Sequence, residues 1–294
     1  MAQIIDGKKI AAKVRGEIAA ECAELAKQGV QPGLAVIIVG DDPASKVYVR
    51  NKKKACEEVG FHSEVYELPE ATTEDELLAL VGRLNNDDKI HGILVQLPLP
   101  RHLNDDIIIA NIDPKKDVDA FHPVNVGKIM IGDYDFLPCT PAGVMVMLKE
   151  CGIDPAGKEC VVVGRSNIVG KPQAMLLLHA NGTVTVCHSK TKNLADVTRR
   201  ADILVVAIGK ADFITGDMVK DGAVVIDVGM NRRPDGKLTG DVDFASVEPK
   251  ASFITPVPGG VGPMTITMLL QNTLTSAKRV AGTPPRAAGK PPRA

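Results

Sequence analysis

The chain has 294 residues, 45% of them hydrophobic and 24% charged, which suits about two soluble domains at ~100–200 residues each. The 35 Lys and Arg side chains nearly cancel the 36 Asp and Glu, and a formal charge of −1 excludes a general attraction for nucleic acid. No apolar run nears the ~18 residues of a membrane span, and the opening MAQIIDGKKIAAKVRGEIAAE, with acids among its bases, is unlike a signal peptide. Ile10, Val14, Ile18, Cys22 and Leu25 recur at spacings of four and three, predicting a helix capped by Asp6 and stopped at Gly29. The apolar run 34–40 predicts a buried strand, and a helix is expected from about Ala44 to Val59. Residues 62–68 predict a second strand. Thr73 and Glu76 form a capping box ahead of Leu77, Val81 and Leu84. Residues 92–100 predict a third strand, halted by Pro98 and Pro100.

A second block opens after PCTPAG (138–143). Strands are expected at 159–164, 183–188, 201–209 and 223–229, with helical stretches between the first three. Strands that are apolar throughout and alternate with helices predict parallel sheets buried on both faces, an α/β fold. A Gly/Pro-rich segment (252–265) precedes a final helix. The remaining residues are Pro-rich and basic: positions 278–294 carry +5 and the rest of the chain −6. The six cysteines (22, 56, 139, 151, 160, 187) show no C-x-x-C pair, as expected of reduced thiols in a cytoplasmic protein. No His/Cys/Asp cluster has metal-ligand spacing, so no metal is expected.

The strand-to-helix turn VVVGRSNIVGKP (161–172) places Gly164 at a strand end and Gly170 at a helix start. Such a turn lets a pyrophosphate approach the backbone and the helix N-terminus. Its spacing departs from G-x-G-x-x-G. It also fails as a P-loop, because it is one residue too long and Pro172 stands where a hydroxyl would meet magnesium. A tight turn without a ligand is the plain alternative. The next strand ends His188-Ser189-Lys190, with no acid for the ribose hydroxyls. Arg165, Ser189 and Lys190 suit a 2′-phosphate, which favours NADP over NAD; a solvated basic loop is the other reading. In the first block, Tyr48 and Lys52 fall one helical turn apart. A lysine beside a phenol can exchange protons when its pKa is lowered, although Lys52-Lys53-Lys54 also reads as a charge run. Gln96 interrupts an apolar strand, and a buried amide needs a partner. Asp117 and Asp119, in KKDVDAFHP, suit either an amino-pyrimidine edge or a turn.

KVYVRNKKKACEEVGF, GILVQLPLP, KDVDAFHPVNVGKI, PCTPAGV, VVVGRSNIVGKP, CHSKT, VIDVGMNR and TPVPGGVGPMT stand in this order. Together they resemble the bifunctional methylenetetrahydrofolate dehydrogenase/methenyltetrahydrofolate cyclohydrolase family, from the first helix to about Arg279. Ala120 departs from the glycine usual after KDVD in that family, and is expected to tighten the loop behind Asp119. The resemblance implies an N-terminal α/β catalytic domain (1–137, completed by helix 264–280) and a Rossmann-like NADP-binding domain (138–263) with a cleft between them. The basic tail (281–294) lies outside it. It implies oxidation of methylenetetrahydrofolate by NADP, then hydrolysis of the methenyl product to 10-formyltetrahydrofolate. Lys52 would be the general acid/base, oriented by Gln96, with Tyr48 lining the folate site and Asp119 binding the pterin. Pro258, Gly259 and Gly260 would wall the folate. Gly164, Arg165 and Ser166 would hold NADP, with Ser189 on its phosphate and Met230 behind the nicotinamide. A homodimer formed through the NADP-binding domain is expected, with no nucleic-acid or membrane partner. Two rivals are a hydroxy-acid dehydrogenase, which would leave Lys52, Gln96 and Asp119 unexplained, and a nucleic-acid-binding protein using the tail.

Overall fold

The computed structural model describes residues 1–282, so the basic tail expected at 281–294 lies almost wholly outside the described residues. The first elements are β1 (Gln3–Ile4), α1 (Gly7–Ala26), β2 (Gly33–Val39), α2 (Pro43–Val59), β3 (His62–Leu68), α3 (Glu74–Asn85) and β4 (Gly92–Val95). Two short helices follow, α4 (Asp105–Ala110) and α5 (Pro123–Met130), then α6 (Cys139–Glu150). The second half runs β5 (Glu159–Val163), α7 (Gly170–His179), β6 (Thr183–Cys187), α8 (Leu194–Thr198), β7 (Ile203–Val206) and β8 (Val224–Asp227). It ends with the β9 (Asn231–Arg232) and β10 (Leu238–Thr239) hairpin, α9 (Phe244–Val247), β11 (Phe253–Ile254) and α10 (Val261–Val280).

The chain forms two compact units. One joins Met1–Ala12 to Thr140–Thr265; the other joins Lys13–Cys139 to the described residues from Ile266 onward. The first twelve residues, expected with the N-terminal domain, group by contacts with the unit of residues 140–265. β1 pairs in parallel with β11, Gln3 opposite Phe253 and Ile4 opposite Ile254, and so extends the sheet of the other unit. Two residues carry too little hydrophobic periodicity to reveal that pairing in the sequence.

The unit of residues 13–139 has a parallel three-stranded sheet in the order β3-β2-β4. Ala35, Ile37 and Val39 on one face of β2 pack with Leu77, Leu80, Val81 and Leu84 of α3 and with Ile93 and Val95 of β4. Each such buried aliphatic side chain contributes ~1.5–3 kcal/mol. The capping box is present: Thr73 Oγ1 accepts from Glu76 N and Glu76 Oε2 accepts from Thr73 N. β4 stops at Val95, earlier than expected, because the prolines that follow have no N–H for the ladder.

The other unit has a parallel six-stranded sheet in the order β1-β11-β8-β7-β5-β6. Val161, Val163, Leu204, Val206 and Val225 supply its core. After β5 the chain pairs β6 on one side and β7 on the other, so the strand order reverses at β5. Ligands bind beyond strand ends at such a reversal. The smaller sheet reverses in the same way at β2.

Candidate active site

In the unit of residues 13–139, α2 starts where Asp42 accepts the Ser45 N–H at 2.7 Å and ends at Gly60 in the left-handed conformation (φ 82°). Between these caps the helix turns Lys52 inward, only 9% exposed, and keeps Tyr48 half-buried one turn earlier. Lys52 Nζ donates to Gln96 Oε1 at 2.9 Å. Gln96 sits just beyond β4, its backbone N–H still donating to Ile37 O at 2.8 Å. Its amide Nε2 donates to Leu97 O at 2.8 Å, which leaves the side-chain oxygen turned to the lysine. Burial lowers the pKa of Lys52, opposed by the nearby charge of Asp119. Burial raises the pKa of Asp119, opposed by Lys52 and by the Cys139 thiol, whose Sγ donates to Asp119 Oδ1 at 3.6 Å. The Tyr48 phenol is also pushed up by burial.

The two aspartates of KKDVDAFHP separate cleanly. Asp117, 1% exposed, accepts from Phe121 N (3.2 Å), His122 N (2.8 Å) and Asn125 Nδ2 (2.7 Å), and so is spent on the loop. Among the described residues Asp119 makes no such backbone bonds and is left as the carboxylate beside Lys52. Ala120 holds φ 58°, the left-handed region that glycine adopts without strain. Asn272 of α10 donates to Val118 O at 2.7 Å and Leu137 O at 2.8 Å, and Ser276 Oγ donates to Lys115 O at 2.9 Å. Sequence reasoning missed Asn272 and the Cys139 thiol. The signal was present for Asn272: a polar amide inside MLLQNTL, the same kind of interruption that singled out Gln96.

The residues expected to hold NADP all lie in the other unit. Gly164 has φ +136°, and a Cβ there would lie 2.3 Å from Ala207 O; a Cβ on Gly170 would lie 2.3 Å from Gly164 O. Only glycine fits either position, so the turn brings bare backbone to the end of β5. Ser166 Oγ accepts from Val169 N (3.2 Å) and Gly170 N (3.3 Å), capping α7 and leaving only its hydroxyl proton for a ligand. Val163 of β5 pairs with Cys187 of β6, and Gly164 N donates to Cys187 O at 2.9 Å. Arg165 and Ser189 therefore leave neighbouring strand ends two residues beyond paired positions. Both are exposed and make no hydrogen bond or ion pair among the described residues. The residues fit a dinucleotide carrying a 2′-phosphate: a cradle closed to any Cβ, a guanidinium, a hydroxyl and no acid. Met230 follows β8, 42% exposed. Pro258, Gly259 and Gly260 precede α10, where Gly259 O accepts from Lys8 N at 3.1 Å. A Cβ on Gly7 would lie 1.8 Å from Gly260 O, so glycine is obligatory where α1 meets this turn.

Two family models match the chain. The tetrahydrofolate dehydrogenase/cyclohydrolase catalytic domain matches residues 5–119, and the NAD(P)-binding domain of the same family matches residues 138–281. The bifunctional protein FolD of Acetivibrio thermocellus is 63% identical over 277 residues, 94% of this chain and 97% of that protein. The crystal structure of the bifunctional FolD dehydrogenase/cyclohydrolase of Campylobacter jejuni superposes with a TM-score of 0.93 at 54% identity, covering 95% of this chain and 100% of the other. That of the Trypanosoma brucei enzyme, complexed with NADP cofactor and inhibitor, gives 0.92 at 43% identity, covering 95% and 98%. With both halves matched in order and relatives above 60% identity along nearly its whole length, the chain belongs to the tetrahydrofolate dehydrogenase/cyclohydrolase family.

Proposed function

We propose that this chain oxidises 5,10-methylenetetrahydrofolate with NADP and hydrolyses the methenyl product to 10-formyltetrahydrofolate, with Lys52 moving the protons. The observation that carries the reading is a buried lysine held 2.9 Å from Gln96 Oε1 and beside Asp119, inside the segment that matches the family's catalytic domain. Burial lowers the pKa of the Lys52 amine and so favours its neutral form, which can accept a proton. The cationic methenyl substrate next to it disfavours the ammonium further. Water adding to the methenyl carbon gives up a proton to Lys52. The bond from that carbon to N5 then breaks as N5 takes a proton, and one proton is released overall. Gln96 accepts from the amine and fixes its direction. Asp119 accepts from the N–H groups of the pterin's amino-pyrimidine edge, and Tyr48 lines the folate. Pro258, Gly259 and Gly260 wall the same ligand.

NADP supplies the hydride acceptor when bound. Gly164 opens the backbone to the pyrophosphate, Arg165 and Ser189 bind the 2′-phosphate, Ser166 orders the turn, and Met230 backs the nicotinamide. Aligning substrate and cofactor is the protein's share of that step. No described helix is long and apolar enough to cross a membrane. A cytoplasmic homodimer is the form we favour, and the support is that β6 ends the six-stranded sheet with an open edge.

The test is a spectrophotometric assay of methylenetetrahydrofolate with either nucleotide, following the methenyl and reduced-nucleotide bands. Lys52→Met keeps the side chain's length and removes its proton. It should lower methenyl hydrolysis at least ~100-fold while the protein stays folded. Normal hydrolysis by the folded variant would remove Lys52 from the reaction.

A further inference from the structure

The loops beyond β7 and β8 are organised by two buried carboxylates with no part in the proton path described above. Asp241 is 0% exposed and Asp227 4%. Asp241 Oδ2 accepts from Ile208 N (2.6 Å) and Gly209 N (3.0 Å), and its Oδ1 accepts from Lys210 N (2.8 Å) and Asn231 Nδ2 (2.9 Å). Asp227 accepts from Gly229 N, Asp241 N and Val242 N, each at 2.9 Å. The packing admits no substitute: a Cβ on Gly229 would lie 2.3 Å from Asp241 Oδ1, and one on Gly240 would lie 1.8 Å from Asp227 Oδ2.

Burying an ionised carboxylate costs several kcal/mol, so two in one loop cluster call for a return. Three successive backbone N–H groups converging on one point form an anion nest. Here the nest of residues 208–210 is filled by the protein's own Asp241. Its place matters: residue 207 is the one whose carbonyl closes on Gly164, so the filled nest begins directly beside the Gly-rich turn. An empty nest there would compete with that turn for a phosphate. We propose that Asp241 is a positioning residue of the dinucleotide site, holding the loop 208–210 and the Asn231 segment after β8 in one arrangement and denying the ligand's phosphates a second nest beside the Gly-rich turn. Asp241 does not touch the reacting atoms; it acts through the loop it holds. The inference rests on the reading of the 164–170 turn as the NADP site.

The experiment compares nucleotide-dependent and nucleotide-independent activity in the same preparations. Asp241→Asn keeps the shape but sets an amide N–H against backbone N–H groups. The KM for NADP should rise ~10- to 100-fold, the equivalent of one charged hydrogen bond. Hydrolysis of methenyltetrahydrofolate without nucleotide should stay within about twofold. Asn231→Ala removes one donor from the carboxylate and should raise the KM for NADP in the same direction by a smaller factor, about threefold. An unchanged KM for NADP in folded Asp241→Asn overturns the proposal. So does a parallel loss of both activities, which would mark Asp241 as fold maintenance only. If Asp241→Asn does not fold, Asn231→Ala decides, and an unchanged KM for NADP there overturns the proposal. A wild-type chain that hydrolyses the methenyl compound but reduces no NADP would instead overturn the reading of the nucleotide site.

Discussion

Asp117 and Asp119 stand two residues apart and do opposite work. From the sequence, either suits a ligand or a turn, because a carboxylate's role depends on which N–H groups the backbone turns toward it. The loop settles this by folding 121–125 back over Asp117, which no periodicity in KKDVDAFHP encodes. Lys52 and Gln96 are different: a lysine one turn from a tyrosine and an amide inside an apolar strand are both legible as anomalies, and their contact follows from a helix packed beside a strand end. Asp117→Ala should destabilise the protein by about 3–5 kcal/mol, since it strands three donors in a buried loop. Asp119→Ala should keep the fold and weaken folate binding by ~1.5–3 kcal/mol, roughly 10- to 100-fold, with NADP binding unchanged. It also removes the charge that raises the Lys52 pKa, so the acid limb of the hydrolysis pH profile, where protonation takes Lys52 away as a base, should move to lower pH. Urea unfolding with ligand titration separates the two residues. Equal losses of folate and NADP affinity in Asp119→Ala would give it a structural role. Ala120, left-handed at φ 58°, carries a strain of ~1–2 kcal/mol that a glycine would lack.

At the scale of elements, the strands and long helices are the most legible parts. The expected strand bounds match β2, β3, β5 and β6 to within a residue or two, with β2 and β5 read from apolar runs, and Asp6 caps α1 as expected, accepting from Lys9 N at 3.0 Å. What the pattern does not carry is which partner an end of chain seeks. α10 is an example. From Ile266 onward it packs with the unit of residues 13–139, where Lys278 pairs with Glu21, Arg279 pairs with Asp135, and the Arg279 guanidinium lies 5.3 Å from the Phe136 ring centre. Asn272, on the buried side of this helix, ties down the carbonyls of Val118 and Leu137, the first of them adjacent to Asp119. Asn272→Leu removes the amide donor from both carbonyls, leaving Val118 O only the Cys139 thiol. It should cost about 2–4 kcal/mol of stability and raise the KM for folate, because Asp119 loses its fixed neighbour. A variant that loses stability but keeps the folate KM would limit Asn272 to scaffolding.

For the whole molecule, the two units carry buried groups whose linkage to pH runs in opposite directions. His91, 5% exposed, accepts the Gly33 N–H on Nδ1 at 3.1 Å, and burial with the nearby Lys116 charge holds its pKa below the ordinary 6.5. Below pH 6.5 the unfolded chain therefore binds more protons at this site than the folded one. Stability of the unit of residues 13–139 is lost as pH falls from 6.5 toward the folded value. Asp227 is the reverse case: burial pushes its carboxyl from 3.8 up to about 6. Between those values the folded state holds more protons, so its contribution is greatest below pH 3.8 and declines as pH rises to 6, by about 3 kcal/mol in all. The chain contains no Trp, and its three tyrosines, Tyr48, Tyr66 and Tyr134, all belong to the unit that holds His91. Tyrosine fluorescence thus reports on that unit alone. Its urea midpoint should fall as pH drops from 7 to 5, and His91→Asn, which keeps an acceptor for Gly33 but cannot titrate, should flatten that fall. Over the same interval, amide exchange in β8 should slow as Asp227 regains its proton. A wild-type tyrosine midpoint that does not fall, or one whose slope His91→Asn leaves unchanged, would show that His91 does not set the acid limit of its unit.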